Sequence, residues 1–190
     1  MEEILAAAAC GPGHRVLDVG CGNGALVTAT MAKGSVAAGL DASRAVVLAA
    51  SAITAKHAFL QASATHLPFK DHSLDRLVTQ HLIEHLHDPS SAVKEWHRVL
   101  RSGGRLVVLT PNARYPDPQI FDDPTHVRIF EPTSLREVLT AGGFHVISVR
   151  TIFPYLGGHT VFGLRHRKGF STIPPWSSRG RSLIAAAVRP

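Results

Sequence analysis

Cysteine is scarce in this chain: Cys10 and Cys21 are the only two among 190 residues. Two thiols build no disulfide framework, and so sparse a usage suits a reducing compartment. Long apolar runs are missing too. None approaches the length that crosses a bilayer, so no membrane span is expected. The opening Met1-Glu2-Glu3 is acidic ahead of a short alanine run, the reverse of a signal peptide, and cytoplasmic location is the expectation. Internal repeats and domain boundaries are also absent, so residues 1–190 are expected to form a single domain around one core. Acid is missing from one end only. Residues 150–190 hold Arg150, Arg165, Arg167, Lys168, Arg179, Arg181 and Arg189 and no Asp or Glu, whereas residues 1–149 are close to neutral. That asymmetry fits either a solvated basic edge or an acidic partner: nucleic acid, a phosphorylated lipid or an anionic small substrate.

What is present concentrates in Val16-Leu17-Asp18-Val19-Gly20-Cys21-Gly22-Asn23-Gly24. Apolar residues around Asp18 read as a buried strand, the alternating glycines as a tight turn, and Ala25–Lys33 as a helix with apolar Leu26, Val27 and Met31. Such a turn lets backbone amides approach a nucleotide-like ligand closely. Gly20-x-Gly22-x-x-Ala25 satisfies the dinucleotide fingerprint as well, and Asp41, some twenty residues on, could bind ribose hydroxyls in either case. Asp18 and the third glycine, Gly24, weigh against a dinucleotide. A carboxylate two positions before the first glycine repels a pyrophosphate and favours a cation. S-adenosylmethionine carries an ammonium and a sulfonium there and no phosphate.

Along the chain, residues 2–10 read as a short helix closed by Gly11-Pro12-Gly13. Strands are expected at Val16–Val19, Ser35–Leu40, Ala58–Ala62, Leu74–Gln80, Arg105–Thr110, Phe144–Arg150 and Ser182–Val188. Ser43 is expected to cap the helix after Asp41, and Ser90 or Ser91 the helix reaching Leu100. Arg101-Ser-Gly-Gly would close that helix, and Thr133 or Ser134 would start the helix running to Ala141. Alternation of strands and helices predicts an α/β fold with a parallel sheet and helices on both faces. Pro111–Pro132 holds five prolines (111, 116, 118, 124 and 132) and is too long for an ordinary connection, so it reads as a functional loop.

Further matches follow in order: Leu40-Asp41, Leu67-Pro68-Phe69 with Asp71 through Asp75, Glu84-His85-Leu86 with Asp88-Pro89, and Arg98 through Leu106. Together they resemble the class I S-adenosylmethionine-dependent methyltransferases over nearly the whole chain. The resemblance implies a Rossmann-like seven-stranded, mostly parallel sheet with an antiparallel last strand beside the sixth. It implies that Asp18 holds the methionine ammonium, that Gly20, Cys21, Gly22 and Gly24 pass under the cofactor, and that Asp41 with Ala42 binds the ribose. Ser63, with Ala64, stands where the family often has an aspartate for the adenine amino group, and Gln80 completes the cofactor set. A hydroxyl there accepts the hydrogen bond without charge assistance. The implied reaction is methyl transfer from S-adenosylmethionine to a small-molecule acceptor, oxygen placed ahead of nitrogen and carbon. A nicotinamide oxidoreductase and a catalytically silent cofactor-binding module stay open as alternatives.

His81-Leu-Ile-Glu84-His85 also fits the H-x-x-E-H spacing of inverted zinc peptidases, but it follows directly on a strand without a peptidase's helical scaffold. Small-RNA 2′-O-methyltransferases and some quinone O-methyltransferases resemble this stretch, holding a divalent ion with Glu-x-x-Glu-His and a later histidine. Here His81 replaces the acid and His126 supplies the later imidazole; no metal is assigned. His85 and His126 are the candidate catalytic residues, imidazole being suited to taking a proton from an acceptor hydroxyl near neutral pH. The alternative is that Glu84 and His85 brace the loop beneath the cofactor. The acceptor would be covered by the loop 111–131 and by residues 153–180, whose Phe153, Tyr155, Phe162, Phe170 and Trp176, with their arginines, suit an aromatic or anionic molecule.

Overall fold

A computed structural model describes residues 1–53, 59–116, 123–152 and 180–190. In chain order the elements are α1 (Glu2–Ala8), β1 (Arg15–Val19), α2 (Ala25–Met31), β2 (Val36–Asp41), α3 (Arg44–Ile53), β3 (Phe59–Gln61), β4 (Leu74–Gln80), a 3-10 turn (Ile83–His85), α4 (Pro89–Val99), β5 (Leu100–Pro111), α5 (Pro132–Ala141), β6 (His145–Ile152) and β7 (Ser182–Val188). The seven strands form one sheet in the order β3-β2-β1-β4-β5-β7-β6. Neighbours from β3 to β5 are parallel, and β7 runs antiparallel between β5 and β6. This is the expected α/β sheet, and it departs from the 3-2-1-4-5-6 order of a dinucleotide-binding domain. The chain runs from β1 through β2 to β3 on one side and then returns to place β4 on the other side of β1, which opens a crevice at the carboxyl ends of β1 and β4.

Helices cover both faces. On one, Trp96, Val93 and Val99 of α4 and Leu135 and Leu139 of α5 pack with Leu17, Leu77, Leu106 and Leu183. On the other, Ile4, Leu5 and Ala8 of α1 and Leu26 of α2 meet Val78, Val107 and Ile184. Val27 and Ala50 extend that face toward β2 with Phe59. The alanine-rich β7 is a weak strand former by propensity. It is nevertheless buried on both faces, because antiparallel neighbours on either side satisfy its backbone. Arg105 and Arg76, register partners on β5 and β4, donate to the Ala7 and Ala9 carbonyls at 3.0 and 3.4 Å. Cations thus close the carboxyl end of α1, as the helix dipole favours.

Several expected boundaries move. Ser43 accepts the Val46 N–H at the start of α3 as expected. In α4 the cap is Asp88 rather than Ser90 or Ser91: its Oδ1 accepts the Ser91 N–H at 3.0 Å, and Pro89 takes the first helical position. The α5 cap is Glu131 rather than Thr133 or Ser134, with Ser134 closing a capping box by accepting the Glu131 N–H at 3.0 Å. Arg101-Ser-Gly-Gly does not close a helix but is drawn into β5: Gly103 donates to Arg189 and Arg189 to Gly104, both at 2.9 Å. Pairing with the chain terminus, far away in sequence, decides this.

Gly39 of β2 shows how tightly the sheet is packed under the glycine turn. A Cβ at this position would lie 2.6 Å from Phe59 and 2.8 Å from Cys21. Gly39→Ala is therefore expected to cost about 1–3 kcal/mol by overpacking, measured as a lower urea midpoint at unchanged slope.

Candidate active site

The carboxyl ends of β1, β2 and β4, with the segment after β3, gather the residues singled out in the sequence. Gly20, Gly22 and Gly24 all have positive φ (76, 51 and 77°), so the chain can turn twice within five residues. The turn is pinned to the next strand, since Gly20 and Cys21 both donate to the Leu40 carbonyl at 2.7 and 3.0 Å. A Cβ on Gly22 would meet nothing within 4 Å, so its backbone faces open space, whereas one on Gly24 would strike Phe59 at 2.5 Å. Asp41 ends β2 and accepts the Ser43 N–H at 2.9 Å. Ala42 follows it, its carbonyl accepting from Gln61 Nε2 at 3.2 Å. Gln80 ends β4, half-buried and in register with Leu109 of β5.

Asp18 is only 2 % exposed, and its Oδ1 meets no hydrogen-bond partner among the described residues. Burial, and secondly the nearby Asp41 charge, push its carboxyl up to about 7. Burial, followed by the Asp18 and Asp41 charges, likewise holds the Cys21 thiol up at about 12, so it stays neutral. A buried, underpartnered carboxylate facing a second acid is costly in isolation, and a cation placed between them would relieve both.

Beyond β4 the chain enters a strained corner. His81 has φ 48°, and Ile83–His85 form a single 3-10 turn. His81, Glu84 and His85 therefore do not share the face of a regular helix, and the inverted-peptidase reading falls. Glu84 is fully buried. Its carboxylate accepts from the Thr110 hydroxyl at 3.0 Å and lies 3.3 Å from His81 Nδ1. Its backbone carbonyl accepts the Val127 and Arg128 N–H groups at 2.9 and 3.1 Å. That grip draws the loop after β5 back over the turn after β4, and the rings of His85 and His126 meet with centroids 4.8 Å apart. His85 Nδ1 lies 3.1 Å from the Thr125 carbonyl. The Thr125 hydroxyl, 3.0 Å from the same nitrogen, donates to Asp123, so both Thr125 oxygens accept, Nδ1 carries the proton in that contact, and Nε2 of the neutral ring keeps its lone pair. His126 Nε2 stands 3.8 Å from Asp123.

Ligand atoms of Glu84, His85 and His126 all lie within 4.8 Å of one another, so these three could hold a cation. His81 is not one of this trio. Two imidazoles and a carboxylate suit a transition metal better than magnesium.

Comparison with known proteins fits this arrangement. Residues 17–108 match the family model described as "Methyltransferase domain". A Mycolicibacterium smegmatis protein named "Probable S-adenosylmethionine-dependent methyltransferase" is 34 % identical over 181 residues, covering 93 % of this chain and 64 % of its own length. This is a class I S-adenosylmethionine-dependent methyltransferase domain. A second relative, "Ubiquinone biosynthesis O-methyltransferase" of Alkalilimnicola ehrlichii, is 32 % identical over 114 residues, covering 57 % of the chain and 46 % of its own. The crystal structure of an S-adenosylmethionine-dependent methyltransferase from Mesorhizobium loti has the same fold, with TM-score 0.77 at 18 % identity over 99 % of this chain and 96 % of that one. The chain spans less than two thirds of the length of the first curated relatives it matches.

The methyltransferase domain suits the cofactor of its family, S-adenosylmethionine: the orphaned, buried Asp18 oxygen is complementary to an ammonium, and the open Gly22 backbone leaves room above the turn. No helix among the described residues is long and apolar enough to cross a membrane. Phe153, Tyr155, Phe162, Arg165, Arg167, Lys168, Phe170, Trp176 and Arg179 lie outside the described residues. Two other members of the basic run have structural work. Arg189 donates to the carbonyls of His97, Arg98 and Leu100 at 2.6–3.0 Å, closing the end of α4, and Arg150 stands 3.5 Å from Glu3. The sequence reading overlooked Thr110 and Thr125. Asp123-Pro-Thr125 carries the local signal of an Asx turn, the Thr125 N–H reaching Asp123 at 2.9 Å; Thr110, inside a buried strand, carries none.

Proposed function

We propose that this domain transfers the methyl group of S-adenosylmethionine to the hydroxyl oxygen of a small aromatic or anionic acceptor. When bound, the cofactor supplies an already activated methyl group on a sulfonium, so the protein's part is chiefly to hold the reactants in line. Asp18 accepts hydrogen bonds from the methionine ammonium, Gly20, Cys21, Gly22 and Gly24 shape the floor, and Asp41 with Ala42 orients the ribose. Ser63 and Ala64 meet the adenine, and Gln80 borders the methionine arm. His85, with Nδ1 tied to Thr125, takes the acceptor's hydroxyl proton on Nε2, and His126 packs against its ring to fix the orientation. The observation that carries this reading is the meeting of the two imidazoles beyond the carboxyl end of β4, the strand beside the one that carries Asp18. Oxygen as the receiving atom rests on that pair and on the name of the Alkalilimnicola relative.

Calorimetry with S-adenosylhomocysteine and with NADH separates this function from its alternatives. The expected result is a single site for the former and no heat with the latter. Binding of NADH alone would favour an oxidoreductase, and binding of S-adenosylhomocysteine without turnover of any acceptor a silent module. A second reading, favoured by the close approach of Glu84, His85 and His126, places a transition metal there as the group that lowers the acceptor's proton affinity. Both Glu84 oxygens already have neighbours in Thr110 and His81, which supports the base reading over the metal.

A further inference from the structure

The segment after β3 lacks regular structure, yet its backbone is held from within by α4. Trp96, fully buried, donates its indole N–H to the Ala64 carbonyl at 3.1 Å. Further along, Glu95 Oε1 accepts the Leu67 N–H at 2.7 Å, and Arg98 donates to the Leu67 and Phe69 carbonyls at 3.1 and 2.9 Å. Arg98 is itself fixed by both Glu95 oxygens, at 2.7 and 2.8 Å. A connecting segment would ordinarily leave such groups to water.

The Trp96 bond has a directional consequence. The peptide unit is planar and trans, so turning the Ala64 carbonyl inward to the indole turns the Thr65 N–H the opposite way. That N–H donates to Ser63 Oγ at 3.2 Å, and the Thr65 hydroxyl lies 2.9 Å from the same oxygen. The exposed Ser63 hydroxyl is thereby oriented through one peptide plane by a side chain buried beneath it.

We infer that Trp96 is a positioning residue for the base end of the cofactor site, aiming Ser63 through the Ala64–Thr65 peptide so that the site prefers a base bearing an exocyclic amino group. The inference rests on the placement of adenine at Ser63 and Ala64 proposed above. An amino group donates to the Ser63 oxygen; a carbonyl in its place could be met only by the Ser63 O–H, at the expense of its contact with the Thr65 hydroxyl 2.9 Å away.

The test is calorimetric titration of the whole chain with S-adenosylhomocysteine and with S-inosylhomocysteine, which differs by a carbonyl in place of the adenine amino group. The wild type is expected to prefer the adenine compound by roughly tenfold, the worth of one well-made hydrogen bond. Trp96→Phe keeps the ring and removes only the N–H donor. It should weaken S-adenosylhomocysteine binding by roughly fivefold or more and leave S-inosylhomocysteine within about twofold, so that the preference largely disappears. Ser63→Ala, at an exposed position that does not endanger folding, should lose the same preference. Equal weakening of both compounds by Trp96→Phe, or no change in either, would overturn the positioning role. So would a folding failure of Trp96→Phe joined to an undiminished preference in Ser63→Ala. A wild type that binds S-adenosylhomocysteine without preference would overturn the adenine placement, and one that binds neither compound would overturn the proposed function itself.

Discussion

His85→Ala is expected to lower turnover by about 10²–10⁴-fold, the usual contribution of a positioned general base, while the affinity for S-adenosylhomocysteine stays nearly unchanged. The split follows from geometry. His85 Nδ1 is held by the Thr125 carbonyl, and Nε2 is left as the ring's free lone pair. None of the cofactor-binding residues proposed above depends on that ring, so the loss should fall on kcat. The measurement is released S-adenosylhomocysteine in a screen of small phenols and hydroxy acids. His126→Ala should produce a smaller loss, because it removes the packing partner at 4.8 Å and not the acceptor of the proton. Treating the wild type with a strong chelator separates base from metal. Activity that survives metal removal fits the base; activity lost to the chelator and restored by zinc, manganese or iron would transfer the role to a cation at Glu84, His85 and His126.

Affinity for S-adenosylhomocysteine is expected to rise with pH and level off above about 7, the value to which burial and then the Asp41 charge push the Asp18 carboxyl. Below that pH the free protein holds Asp18 protonated and neutral. Binding an ammonium then requires release of the proton, and affinity falls by up to tenfold per pH unit. Calorimetry in buffers of different ionisation heat should register that proton near pH 6. Asp18→Asn should flatten the profile and weaken binding at pH 8 by about 10–100-fold, the worth of hydrogen bonds to a buried charge. The same shift has the opposite sign for folding. Between the ordinary carboxylate range and about 7, the folded chain keeps a proton that the unfolded chain has released. Stability of the cofactor-free protein therefore declines across that window and stays low above it, by an amount on the order of 4 kcal/mol for a shift of about three units. Asp18→Asn should accordingly raise the melting temperature at pH 8 without ligand while weakening the ligand's own stabilising effect. An unchanged melting temperature in that variant, with full affinity for S-adenosylhomocysteine, would remove Asp18 from the site.

Local chemistry made much of the molecule legible. An apolar run bounded by turn residues located β7 to the residue, because a strand buried on both faces needs unbroken hydrophobicity whatever it pairs with, and β4 was located as well despite Asp75 and Arg76 within it. The glycine turn was legible for a similar reason: only glycine adopts three positive φ angles so closely spaced without penalty. Asp18 stood out as an acid inside a hydrophobic strand, a placement that sequence alone marks as costly.

Other features were decided by contacts between distant parts of the chain. Residues 101–104 read as a helix stop and became strand because Arg189 pairs with Gly103 and Gly104. Ser91 and Ser134 have the chemistry of caps, yet the flanking chain puts Asp88 and Glu131 at the ends and the serines inside the first turn. Glu84 fits a metal-binding or a bracing role on paper; His81 reaches it from the same turn, but Thr110 and the Val127 and Arg128 amides converge on it only when β4 and β5 lie side by side. The link from Trp96 to Ser63 is likewise invisible to any local pattern, since it crosses 32 residues to reach one carbonyl. Composition and periodicity thus determined the fold class and the cofactor turn, because those depend on short-range backbone geometry and burial. The pairing of His85 with His126, and the aim of the groups around them, was decided by tertiary structure, because hydrogen-bond partners far apart in sequence become neighbours only in the packed sheet.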